Sequence, residues 1–273
     1  MANIVITPPG KFAFPKVGQL WEGREVLYRF GARDVTLRYR QTLLGVVWVV
    51  LQPLLTAAIF TLVFNRVANL KAPAGVPYLV FVFTGLLAWN LFNGIITRAS
   101  SSLVSNRDLV SKVFFPRMLV PMATAYSTIV DFLVSLVFLL VLLAIYTVNP
   151  GLGIVLSPIW TVMVILLGAG VGLVASALMV RYRDIAYIVP FALQFLLYAS
   201  PIAYSASAVP SKYRVIYDIN PLTWLLSEFR WSFLHQPAPP EWQIILSIIV
   251  PVVVFVGGAI LFEQMERGFA DVI

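Results

Sequence analysis

Six runs of mostly apolar residues, each about as long as a bilayer is thick, constrain this chain more than any other feature. They extend from about Leu43 to Phe64, Tyr78 to Thr97, Met118 to Tyr146, Ile154 to Val180, Tyr187 to Tyr204, and Ile244 to Phe262. A helix needs about 20 such residues to cross the hydrocarbon core. Only structures that satisfy their backbone polar groups internally survive there, so runs of this length are read as helices. Gln52-Pro53 interrupts the first run and predicts a kink, because proline removes a helical hydrogen bond. Of the 273 residues, 60% are hydrophobic and only 11% are charged, against about 25% charged in soluble domains. Such a chain cannot clothe itself in polar surface. The expected fold is an all-α integral membrane protein with six transmembrane helices.

Arginine and lysine orient it. With both termini in the cytoplasm, 14 of the 19 basic residues fall on the cytoplasmic side and five on the other, as the positive-inside bias requires. The net charge of +7 then reads as attraction to anionic headgroups rather than to nucleic acid. Residues 1–19 contain Pro8, Pro9 and Pro15 and no continuous apolar stretch, so they read as a cytoplasmic tail and not as a signal peptide. There is no cysteine, and His235 is the one histidine. These facts exclude disulfides, cysteine-ligated metal and most histidine chemistry within one chain. No metal site is expected.

Three segments outside the spans carry pattern. Residues 20–42 interleave Leu20, Trp21, Leu27 and Tyr28 with arginines, which predicts a helix lying in the cytoplasmic interface. Its arginines, Arg33, Arg38 and Arg40 among them, read either as simple anchors or as ligands for a phosphate-bearing lipid head. Between the second and third spans, Ser105 or Asn106 can cap a short helix from Arg107 to Phe115 that stops at Pro116. It is either a knob for another protein or a plain connector. The turn Arg181-Tyr182-Arg183-Asp184 is too short for a domain and reads as a charged turn. On the external side, Leu222 to His235 places Leu222, Leu225, Leu226, Phe229 and Phe233 on one helical face between prolines. At 14 residues it is too short to cross, and Glu228 and Arg230 keep it out of lipid. Re-entrant half-helices with a polar side toward protein or water are expected between spans five and six.

Few ionisable residues enter the spans. Asp131 is the clearest, with Ser127, Thr128 and Ser135 as hydrogen-bonding neighbours at helical spacing. It is either a satisfied structural carboxylate or part of a conduit lining. Ion-coupled transporters need more buried charge than this. The chain also has no G-x-x-x-x-G-K-[ST] loop and no Ser-His-Asp set. Any ATP and Mg chemistry therefore belongs to another chain, and no cofactor is expected here. Gly168, Gly172 and Ser176 permit close helix approach, most simply within the chain. Trp89, Phe92, Trp224 and Trp231 read either as interfacial belt residues or as rings at a conduit or external mouth that could stack on sugars.

Arg33 to Leu54 (RDVTLRYRQTLLGVVWVVLQPL) resembles the segment leading into the first span of type-2 ABC exporter permeases for lipid-linked polysaccharides such as O-antigen, capsule and teichoic acid. NRDLVSKVFFPRMLVP (106–121), RYRDI (181–185), SPIAYS (200–205) and Asn220-Pro221 agree in order, so the resemblance covers nearly the whole chain from Leu20. It implies a homodimer paired with two ATP-binding cassette subunits in the bacterial inner membrane, moving a lipid-linked polysaccharide. Residues 43–273 would form the transmembrane permease domain. The helix from Arg107 to Phe115, with Asn106, Arg107, Asp108, Leu109 and Val110, would be the coupling helix on the ATPase, and Arg181, Arg183 and Asp184 would lie near the same interface. The helix from Leu20 would receive the substrate lipid head through Arg33, Arg38 and Arg40. The region from Ser205 to His235, with Trp224, Glu228, Arg230 and Trp231, would be the external gate, and Asp131, Trp89 and Phe92 would line the conduit. The rival readings are a type-2 ABC permease for a small hydrophobic drug or lipid, a membrane glycosyl or phosphoglycosyl transferase, and an ion-coupled transporter.

Overall fold

The computed structural model describes residues 17–40, 45–73, 75–108, 115–205 and 209–269. Among these, every regular element is helical. Two helices, α1 (Val17–Glu22) and α2 (Arg24–Arg40), cover the segment expected to lie in the interface. The first span is α3 (Val47–Phe60), with Pro53 inside it; the backbone continues as a π-helix over Thr61–Val67. The later spans are α4 (Tyr78–Ser105), α5 (Leu119–Ile145) and α6 (Ser157–Arg181), the last preceded by a 3₁₀ turn at Gly151–Leu156. Then come α7 (Ile185–Ala199), α8 (Ser211–Ile219), α9 (Pro221–Leu234) and α10 (Glu241–Glu266).

Five of these segments are long and apolar enough to span a bilayer: α3 with its π extension, α4, α5, α6 with its 3₁₀ turn, and α10. The expected fifth span is shorter than the sequence suggests. α7 has 15 residues, about 22 Å of rise, against a hydrocarbon core of about 30 Å. It stops because Ser200 precedes Pro201, whose ring disfavours helical backbone there; Ser200 is extended at φ −102°, ψ 146°. The second span departs in the other direction. α4 runs about two turns past Thr97, because the polar residues from Arg98 onward find protein partners.

α4 is the axis of the molecule. α5, α6, α3 and α9 all pack on it. Phe81, Phe83, Leu86, Leu91, Ile95 and Ile96 are almost fully buried. Gly168 and Gly172 of α6 approach Ile95 and Ala99 of α4, so the small residues of the fourth span serve packing within the chain. The opposite face of α6 meets α10 through Gly170 and Gly258, backbone against backbone. The outer helices expose rows of large apolar side chains, such as Ile59, Leu133, Val137 and Val253. Such faces require a lipid or protein neighbour.

α9 is held from both ends. The Asn220 side chain accepts from the Leu222 amide (3.0 Å) and donates to Ser200 Oγ (2.9 Å), and Pro221 occupies the first turn. His235, in the left-handed region at φ 50°, ends the helix. Of its 14 residues, 11 are buried, so α9 lies inside the protein and away from lipid.

Candidate functional site

α2 lies across the N-terminal half of α5. A Cβ at Gly31 would stand 2.7 Å from Cβ of Tyr126, so only glycine lets the two helices meet there. Tyr28 sets its ring edge-on to Tyr126. This contact brings the last turn of α2 over Asp131. Tyr39 donates its hydroxyl to Asp131 Oδ1, and Arg38 Nη2 stands 2.9 Å from Oδ2. From the other side, Arg98 of α4 donates to Oδ2 at 2.7 Å and to Ser127 Oγ. One carboxylate thus joins three helices. Burial, followed by the hydrogen bond to and the charge of Asp131, pushes the Tyr39 hydroxyl well above its usual range, which keeps it a donor. The partners of Asp131 come from other helices. Its expected neighbours on α5 are engaged elsewhere: Ser127 accepts from Arg98, Thr128 donates to Thr124, and Ser135 donates to Val49.

Two cavities meet at this cluster, and both include Arg38 and Arg98. One, of about 380 Å³, is a polar crevice lined by Arg33, Asp34, Ser101, Ser105 and Asn106. The other, of about 390 Å³, rises along α4 past Asp131, Asn93, Asn90, Trp89 and Trp48. The residues of α4 that escape burial are mostly polar. Asn90, Thr97, Ser101 and Ser105 are exposed, and Asn93, Gly94 and Arg98 are half-buried. They recur at intervals of three and four residues, forming one stripe along an otherwise apolar helix.

Arg33 stacks on Phe30 and bridges Asp34 (3.1 Å) and Asn106 Oδ1 (3.0 Å), tying α2 to the end of α4. Arg40 is exposed at the end of α2. Asn106 Nδ2 donates to the Ser102 carbonyl, and Arg107 and Asp108 follow it on the surface. Leu109 and Val110, and with them most of the helix expected from Arg107 to Phe115, lie outside the described residues. Arg181, Arg183 and Asp184 are exposed in the turn between α6 and α7. Phe92 is buried beside Trp89, their ring centroids 6.0 Å apart. Trp224 is buried edge-on to Trp242, and Trp231 is half-buried against the core. Glu228 is fully buried, and neither of its oxygens has a hydrogen-bond partner. Arg230 is buried too, spending its guanidinium on the carbonyls of Pro201, Ile202 and Tyr204 and lying 3.9 Å over the Phe81 ring. Glu228 and Arg230 are two positions apart on one helix, so they point to different sides and cannot pair.

Sequence reasoning missed Arg98, which it counts among the cytoplasmic charges, and Tyr39. It also missed the α4 stripe. The spacing of Asn90, Asn93, Thr97 and Ser101 is a visible 3.6-residue signal in the second span.

A family model described as ABC-2 type transporter matches residues 26–234. The chain belongs to the ABC-2 type transporter family. The match takes in all but the first two residues of α2, the stripe on α4, Asp131 and α9, so the cluster around Asp131 lies wholly inside the ABC-2 domain. This ABC-2 chain is 28% identical over 246 residues to the O-antigen export system permease protein RfbA of Klebsiella pneumoniae, covering 88% of this chain and 92% of that one. It is 27% identical over 257 residues to the protein of that name from Myxococcus xanthus, covering 93% and 98%. It is 22% identical over 196 residues to the polysialic acid transport protein KpsM of Escherichia coli, covering 70% and 74%. All three relatives bear the names of permease or transport proteins, and none that of an enzyme. The chain is the multi-pass membrane permease subunit of a type-2 ABC exporter, and membership of this family implies that ATP-binding subunits work with it.

Proposed function

We propose that this permease exports a lipid-linked polysaccharide across the bacterial cytoplasmic membrane, as a homodimer driven by two ATP-binding cassette subunits, with both termini in the cytoplasm. The observation that carries this reading is the polar stripe on α4. A membrane helix packed on nearly every side by protein leaves amides and hydroxyls on its one open face. Lipid would select the reverse. Such a face suits a hydrated, hydroxyl-rich chain. Asn90 and Asn93 can both donate to and accept from sugar hydroxyls, and the exposed ring of Trp48 presents an apolar face in the same cavity, whose wall the buried Trp89 only touches. Many weak, interchangeable contacts let a polymer slide. A permease for a small hydrophobic drug or lipid would instead want an apolar lining. A second copy facing the stripe would close the conduit.

The names of the relatives support the substrate class. Arg33 and Arg38, at the base of the stripe, suit the phosphate of a lipid head. Nucleic acid has no place in this scheme. The hydrogen bond from Arg33 to Asn106 joins the receiving helix to the segment proposed to dock on the ATPase, which gives substrate and motor a shared mechanical element. We assign the gate to α9, with Trp224, Glu228, Arg230 and Trp231; its position between α8 and α10, at the end of α4 opposite Asn106, supports this reading.

Two variants test this. N93L with N90L should leave assembly with the ATP-binding subunits intact and lower export of polysaccharide at least tenfold, measured as surface glycan by antibody. Undiminished glycan would remove the stripe from the conduit. D108A with L109A should preserve the complex and its ATP hydrolysis while cutting export per ATP severalfold. Normal export by that variant would remove the coupling role of this segment.

A further inference from the structure

The polar crevice beneath α4 holds three guanidiniums, Arg33, Arg38 and Arg98. Two carboxylates face them: Asp34 on Arg33, and Asp131 on Arg38 and Arg98 at once. That balance leaves one positive charge in excess. Asp131 uses Oδ2 to hold two arginines on two different helices and Oδ1 to accept from Tyr39. Serine hydroxyls at Ser101 and Ser105 line the same space. Two converging guanidiniums with hydroxyl donors nearby are the donor set that a phosphate or diphosphate oxygen cluster takes. In this structure the carboxylate of Asp131 occupies that role.

We propose that Asp131 is an internal stand-in for a diphosphate group: the crevice is an anion site whose arginines are held by this carboxylate until a diphosphate displaces it. The inference rests on the proposed function only for where the diphosphate comes from. Displacement frees Arg38 and Tyr39 from α5 and so loosens the last turn of α2. Asp131 is then a positioning residue, not a ligand, and its removal strengthens anion binding. A merely structural carboxylate predicts the opposite sign. Removing it would disorder the arginines and weaken binding.

The test uses the full chain with its ATP-binding subunits in nanodiscs of neutral lipid, without nucleotide. Binding of inorganic pyrophosphate and of a short polyprenyl diphosphate is measured for the parent, D131N and R98Q. D131N should bind at least tenfold more tightly than the parent and R98Q at least tenfold more weakly. Pyrophosphate binding identifies a site that takes the free anion. Binding of the polyprenyl diphosphate alone identifies a lipid headgroup as the source. Either supports the proposal. Equal or weaker binding by D131N, with the complex still eluting as the parent does, overturns it. Should D131N fail to assemble, the chain's lack of cysteine allows a second measurement on otherwise native protein. A single reporter cysteine at Leu37, an exposed residue of α2, should react severalfold faster once polyprenyl diphosphate or pyrophosphate is added. An unchanged rate overturns the proposal. Surface glycan in cells separates the two claims. Export without anion binding sinks the inference alone, and anion binding without export sinks the proposed function alone.

Discussion

Replacing Arg230 by methionine is expected to destabilise the protein by about 3 kcal/mol or more, because three carbonyls lose their shared charged donor at once. The reason lies in what the guanidinium satisfies. The chain leaves α7 at Ser200-Pro201 and turns without regular structure, so its carbonyls lack helical partners. Arg230 donates from Nη1 to Pro201 (2.7 Å) and Tyr204 (3.2 Å), and from Nη2 to Ile202 (2.6 Å). Each buried carbonyl left without a donor costs about 1–3 kcal/mol. The Phe81 ring below the guanidinium also loses a cation–π contact worth about 2 kcal/mol in a desolvated site. R230K should recover little, because a single ammonium cannot span three carbonyls as a planar fork does. Thermal melting of the purified complex, followed by the elution of intact particles, measures the loss. An R230M protein melting at the parent temperature would show that the turn after α7 does not depend on this residue.

Gly170→Leu is expected to break the contact between α6 and α10. A Cβ at Gly170 would stand 2.6 Å from the Val254 carbonyl oxygen and 2.7 Å from Phe255 Cα. Those atoms are backbone and cannot step aside, so the helices must separate. Between membrane helices there is no hydrophobic drive to restore the fit, since lipid tails are as apolar as the partner. Inserting carbons into such a contact costs about 1–3 kcal/mol where the surroundings can adjust, and here the adjustment is the whole crossing. G170A should already lower the melting temperature and G170L should prevent accumulation. Gly257, one turn-face away on α10 with open space around it, is the control: G257A should match the parent. Equal melting of G170A and G257A would dismiss the close approach as unimportant.

The sequence by itself determined the membrane class and the position of nearly every helix, because hydrocarbon demands long apolar runs that a local reading can find. It also determined the family, through segments such as Asn106 to Pro121 and Asn220-Pro221. The second of these has a local physical meaning, a side-chain cap with proline in the first turn, which explains its legibility. The length of α7 was less legible, since Ser200-Pro201 stops the helix inside a stretch whose apolarity continues. Only the tertiary structure decided what the polar residues do. Asp131 meets Tyr39, 92 positions away, and Arg98, 33 positions away, and no periodicity along one helix encodes a pairing between helices. Likewise Glu228 and Arg230 look alike in sequence as charges on a short helix, yet one has three carbonyls and the other no partner. Apolar burial is set by each segment's own composition, whereas a charge takes its role from the groups that folding brings to it.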